Sequence, residues 1–151
     1  MLHLVLLEPE IPHNAGAAGR LALATGSRLH LIKPLGFSLD DKQVRRTGLD
    51  YWKDVDLQVW ESMDELREAA GEEARFWVLS TKAKRGLWDA EFRDGDYLVF
   101  GCESRGLPEA MIHAANDQAV RIPMKEEATR SLNLSTAVAI TLYEAVRQVG
   151  L

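Results

Sequence analysis

Six polar residues with ligand-binding side chains fall in two short runs of this 151-residue chain. Glu103, Ser104 and Arg105 lie in FGCESRGLP at 100–108, and Ser131, Asn133 and Ser135 in RIPMKEEATRSLNLS at 121–135. Each run follows or contains a short apolar stretch and then opens a predicted helix. Turns that leave a strand and enter a helix are where open α/β sheets place ligands. A third such segment, PHNAGAAGR at 12–20, contributes Asn14 and Arg20. Taken singly, each residue has a structural explanation. Asn14 and Ser131 could cap helices, Arg20 could pair with a carboxylate, and Glu103 could cap the turn that follows it. Three separate segments would then each need a polar, conformationally special turn beside an apolar strand, which argues for a shared site.

Spacing excludes several familiar chemistries. In Gly101-Cys102-Glu103-Ser104-Arg105-Gly106 the serine stands one position away from a G-x-S-x-G nucleophile elbow, so a hydrolase is excluded. PHNAGAAG lacks the first glycine of a G-x-G-x-x-G dinucleotide turn, and no G-x-x-x-x-G-K-[ST] phosphate loop occurs. The four histidines, His3, His13, His30 and His113, show no metal-ligand spacing, and one cysteine cannot supply a zinc cluster. No metal is expected, and the histidines are expected to be surface or satisfied core residues.

The elements that must position these residues are legible from hydrophobic pattern. LHLVLLE (2–8) predicts a buried strand, since apolar residues run almost without alternation. A helix follows, with Asn14 as its cap and Gly26 just past its end near Thr25. Gly16 and Gly19 inside that helix each cost about 1 kcal/mol relative to alanine, so packed backbone or a ligand must approach closely there. Strands are expected at 28–33, 57–61, 75–81, 96–101 and in AVRIP (119–123), with helices near 40–46, 62–70 and over PEAMIHAA, Pro108 in its first turn. From Leu134 the stripe Leu134, Val138, Leu142, Ala145, Val149 marks a C-terminal helix, widened by Ala139, Tyr143 and Val146. That arc is broader than the ~100° stripe of a one-sided surface helix. It fits either a well-covered core helix or one buried by its own sheet and by a partner subunit. The alternation of strands and helices gives an α/β fold with a mainly parallel sheet flanked by helices, in one domain over 1–151.

Bulk properties agree with a cytoplasmic globular protein. The hydrophobic fraction, 46%, excludes disorder. The lone Cys102 suits a reducing compartment, and no stretch approaches the ~20 apolar residues that span a membrane. The apolar start fits a core strand better than a signal peptide. A net charge of −5 argues against indiscriminate nucleic-acid binding, although cations gather at 33–53 and 82–85.

EPEIPHNAGAAGR (8–20), DDKQVRRTGLDY (40–51), FGCESRGLP (100–108) and RIPMKEEATRSLNLSTAVAITLYEA (121–145) resemble the SPOUT superfamily of RNA methyltransferases. The resemblance covers nearly the whole chain. It is closest to the small single-domain tRNA ribose methylases of the TrmL type, which modify the wobble nucleotide, position 34. It implies a C-terminal deep trefoil knot, one of the rare exceptions to unthreaded chains. It also implies that S-adenosylmethionine binds the knotted loops, through Leu79, Gly101, Ile122 and Ser131 with Met124 and Leu132 beside them. Backbone recognition of that cofactor would explain Gly101, whose missing Cβ permits close approach.

The resemblance further implies that Arg20 stands at a ribose 2'-hydroxyl, supported by Asn14, Glu103 and Asn133. An arginine base is physically awkward, because its pKa exceeds about 12. Arg20 is better suited to orient the hydroxyl and stabilise developing negative charge, while an RNA phosphate or Glu103 helps the proton leave. Arg45, Arg46, Arg105 and Arg130 are the candidate phosphate contacts on a tRNA substrate. A subunit this small, with no appended RNA-binding domain, is expected to build its RNA groove across a homodimer. The readings that stand beside this one are a ribose methylase acting elsewhere in tRNA or rRNA, and a non-catalytic RNA- or nucleotide-binding module of the same fold.

Overall fold

The computed structural model describes residues 1–40, 42, 49–128 and 130–151, the side chains of 49–51 excepted. The helix expected near 40–46 therefore lies largely outside the described residues, and Arg45 and Arg46 lie wholly outside them.

Among the described residues seven parallel strands form one sheet. They are β1 (His3–Leu7), β2 (Arg28–Ile32), β3 (Leu57–Trp60), β4 (Phe76–Leu79), β5 (Arg85–Gly86), β6 (Tyr97–Phe100) and β7 (Ala119–Arg121), in the spatial order β3-β2-β1-β6-β4-β7-β5. Central β1 pairs with β2 and β6, so Leu4 stands level with Leu29 on one side and Leu98 on the other. The described helices are α1 (Pro12–Thr25), α2 (Met63–Ala70), α3 (Glu109–Ala115) and α4 (Leu134–Val149), besides short 3-10 turns. None is long and apolar enough to cross a membrane.

Apolar strands without alternation need cover on both faces, and the two sides of each strand feed separate cores. Leu4, Leu6, Leu29, Leu31, Leu98 and Phe100 pack with α1 and α4, whereas Val5, Leu7, Val78 and Val99 pack with α2 and α3. On α4, Val138, Leu142 and Ala145 are fully buried. Burial of the valine and the leucine contributes about 1.5–3 kcal/mol each. The breadth of the α4 arc has an intramolecular cause in part, since α1 packs beside it through Ala15, Ala18 and Ala22. Tyr143, on the outer side, stays 47% exposed.

Helix α1 shows why small residues fill it. A Cβ on Gly19 would lie 2.5 Å from the Trp52 ring, so the close neighbour demanded there is an indole. Gly26 ends the helix in the left-handed conformation, φ 66°, as expected of a C-terminal glycine. The two-residue β5 was not anticipated, because Arg85-Gly86 carries no apolar signal. It pairs with β7, and β7 also pairs with β4. Residues 80–84, which join β4 to β5, must therefore cross β7.

A histidine pair lies on the α2–α3 side, with His30 buried and His3 half-buried. Trp60 Nε1 donates to His30 Nδ1 (2.9 Å), and His30 Nε2 lies 2.9 Å from His3 Nδ1. Neutral His30 must then carry its proton on Nε2 and donate it to His3. Burial pushes His30 down to about 3 and His3 to about 4, from an ordinary 6.5. Both groups thus bind protons more weakly in the fold than in the unfolded chain. Their contribution is present above pH 6.5 and is lost as pH falls toward the folded values, because the unfolded chain then binds protons that the fold does not. Thermal unfolding followed by tryptophan emission should show the midpoint falling steadily from pH 6.5 to 4.5. A flat profile would mean that the pair accepts protons inside the fold.

Candidate active site

The loops after β1 and β6 hold each other through reciprocal glutamates. Glu103 Oε1 accepts from the Glu10 N–H (2.8 Å), and its Oε2 accepts from the Ile11 N–H (2.9 Å) and from Asn14 Nδ2 (3.0 Å). The orphan donors near a helix N-terminus thereby meet a carboxylate, which the helix dipole also favours. Glu10 Oε1 in turn accepts from both the N–H (2.8 Å) and the hydroxyl (2.7 Å) of Ser104. Those two bonds hold the Glu10 carboxyl below the usual carboxylate range. Arg105 stands 4.0 Å from Glu8 in a loose, exposed ion pair, a type worth little by itself.

Asn14 is therefore not the cap. The N-cap is Ile11, and Asn14 is the third helical residue, 3% exposed and bonded to Glu103 across the two loops. The α4 cap is Asn133, whose Oδ1 accepts from the N–H (2.9 Å) and hydroxyl (2.6 Å) of Ser135. Ser131 is exposed in the segment before it and does not cap. Pro108 stands at the N-cap of α3, one residue before its first turn.

At the C-terminal ends of β4, β6 and β7 these loops surround a cavity of about 500 Å³. That volume lies within the range of small-molecule sites. All six residues expected at the cofactor line it: Leu79, Gly101, Ile122, Met124, Ser131 and Leu132. Asn14, Glu103, Asn133 and Arg105 line it as well. Met124 and Leu132 leave 39% and 40% of their surface open at the mouth, apolar area that a bound molecule would cover. Arg20 and Arg130 are exposed and are not among the lining residues.

Gly101 has a different reason from the one expected. A Cβ there would collide with the backbone of Gly106 and Leu107, across the Cys102–Gly106 bridge that closes the loop. Close approach of the chain to itself requires the glycine, whatever ligand stands nearby. Glu10 escaped notice altogether, because 94 residues separate it from Ser104 and no spacing links them. Among the described residues no group of three or more His, Cys, Asp or Glu could hold a metal ion.

Residues 1–143 match the SpoU rRNA Methylase family. The chain is 47% identical to a Saccharophagus degradans protein named tRNA (cytidine(34)-2'-O)-methyltransferase, over 99% of this chain and 97% of that one. A solved structure described as giving structural insights into the 2-OH methylation of C/U34 on tRNA superposes with a TM-score of 0.93. It is 49% identical, over 98% of this chain and 95% of the other. The SpoU methyltransferase AviRb of Streptomyces viridochromogenes, solved with the cofactor AdoMet, superposes with a TM-score of 0.83. Its identity is 28%, over 98% of this chain and 60% of AviRb.

Proposed function

Because this chain belongs to the SpoU methylase family, we infer that it is an S-adenosylmethionine-dependent methyltransferase acting on the ribose 2'-oxygen of nucleotide 34 in tRNA. One observation carries the reading. Asn14, Gly101, Glu103, Ser131 and Asn133, from three distant segments, meet in one cavity of a chain similar along 99% of its length to such an enzyme.

The cavity fits the cofactor in size, in its exposed apolar rim and in its loop-built walls. Leu79, Gly101, Ile122, Met124, Ser131 and Leu132 would hold it. When bound, S-adenosylmethionine supplies an electrophilic methyl group. The chain's own task is to place and polarise the 2'-hydroxyl, and alignment alone is worth several kcal/mol. Arg20 serves as the donor that orients this hydroxyl and stabilises charge developing on its oxygen. Glu103 has three donors on its two oxygens, so its role is to fix the start of α1 through Asn14 and the backbone. An RNA phosphate is then the better proton acceptor. Asn133 holds the entry to α4, and Arg105 and Arg130 contact phosphates.

The strand order supports a trefoil knot, since β7 lies in the slot between β4 and β5 beneath their connection. A homodimer accounts for the exposed Leu23 on α1 and Tyr143 on α4, helices that pack on each other. It would also let RNA reach Arg20 and the cavity together. Acting on tRNA, the protein is assigned to the cytoplasm.

Nucleoside mass spectrometry after incubation with labelled cofactor and tRNA should find a 2'-O-methylated pyrimidine nucleoside, mapped to position 34. An anticodon stem-loop carrying 2'-deoxyribose at that nucleotide should accept no methyl group. Cys102→Ala should retain most activity, because the thiol is buried and its sulfur faces the Gly106 carbonyl at 3.9 Å. Methylation at a pyrimidine C5 would instead need a cysteine thiolate to add to the ring. Transfer to the deoxy substrate, together with its abolition in folded Cys102→Ala, would overturn the ribose assignment.

A further inference from the structure

Glu103 belongs to the motif after β6, but its counterpart Glu10 has no role in the reading above. The Glu10 backbone is pinned from behind. The Gly36 N–H donates to the Pro9 carbonyl (2.9 Å), and a Cβ on Gly36 would lie 2.8 Å from both the Glu10 Cα and its carbonyl oxygen. The Glu8 N–H donates to the Ile32 carbonyl (2.9 Å), which ties the same turn to the end of β2. From this fixed base the Glu10 carboxylate takes both donors of Ser104, in the middle of the loop whose residues 101–107 line the cavity.

That loop closes on itself through the Gly106 N–H to the Cys102 carbonyl (2.9 Å). Closure sets its width and leaves its tilt toward the cavity to outside contacts. Glu103 supplies one such contact, to α1. Ser104 supplies a second, to Glu10, and Arg105 a looser third, to Glu8. Glu10 itself does not line the cavity, so its carboxylate acts on a bound molecule indirectly, through Ser104.

We propose that Glu10 is a positioning residue of the cofactor site, holding Ser104 so that the 101–107 loop keeps the orientation in which S-adenosylmethionine binds. This rests on the cofactor assignment above. Two bonds from one serine to one carboxylate also keep Glu10 ionised, so the anchor persists through the neutral pH range.

Calorimetric titration with S-adenosylmethionine, paired with turnover at saturating cofactor, tests it. Glu10→Ala should raise the cofactor Kd about tenfold or more while saturated turnover stays within about threefold of wild type. Glu10→Gln keeps an oxygen that can accept from Ser104, and should bind nearly as the wild type does. Gly36→Ala, remote from the cavity lining, must displace the Glu10 backbone and should weaken binding in the same direction. Ser104→Ala removes one of the two bonds and should give a smaller rise. Unchanged Kd in Glu10→Ala, or a Gln variant as weak as the Ala variant, overturns the proposal. If Glu10→Ala fails to fold, unchanged binding in both Gly36→Ala and Ser104→Ala overturns it. Failure of the wild-type protein to bind the cofactor would instead overturn the function on which the proposal rests.

Discussion

Arg20→Ala should lower methyl transfer by roughly 10²–10³-fold, the cost of removing one donor from a developing oxyanion. Binding of S-adenosylmethionine should change little, since Arg20 is exposed and stands outside the cavity lining. The residue lies on α1 beyond Asn14, and the start of that helix is held by the Glu103 carboxylate. Its helix is thus fixed relative to the cavity. Single-turnover transfer to tRNA, with calorimetric titration of the cofactor alongside, separates the two effects. Equal loss of both, or retention of both, would remove Arg20 from the chemistry.

The second large effect is expected at the cavity wall. Gly101→Ala should abolish measurable cofactor binding and lower the unfolding temperature, because its Cβ meets the backbone of Gly106 and Leu107, which cannot rotate aside as a side chain could. The control is Gly106→Ala. Gly106 has φ +69° with open space around a Cβ, so that variant bears only the strain of a left-handed residue, about 1–2 kcal/mol. Binding by Gly101→Ala close to that of the wild type would mean that the loop can widen without consequence for the cavity.

What the amino-acid order revealed, and what it hid, follows from the range of the interactions. The C-terminal helix begins at Leu134 as its apolar stripe indicates, because a 3.6-residue period is a local signal, although its cap is Asn133 and not Ser131. The buried strands β1, β2, β4 and β6 are equally plain. Strand β5 was invisible, since Arg85-Gly86 joins the sheet only through β7. Asn14 was misplaced for a related reason. An asparagine after a proline-ended strand looks like a cap, and only the fold reveals the Glu103 carboxylate that it meets inside the helix. At Gly101 the fold adds a neighbour that local sequence does not show, the backbone of Gly106 and Leu107. The residues expected at the cofactor come from resemblance; the bonds that hold the loops around the cavity, above all Glu10 to Ser104, join positions far apart in the chain.

The place of β7 has a consequence for how this chain comes to be folded at all. Consecutive strands are usually neighbours in a sheet. Here β5 and β6 are both made before β7, yet β7 sits between β4 and β5. Its slot is bounded on one side by β4 and on the other by β5, with residues 80–84 passing across it. The last thirty or so residues must be delivered into a frame whose walls already exist, or the frame must form around them. In either case the cavity walls contributed by Ile122, Met124 and Ser131 are absent until the C-terminal segment has arrived. A nascent chain released early would own most of a sheet and no complete binding site. Assembly of the slot, with its non-local pairings, belongs to the slow class of folding events.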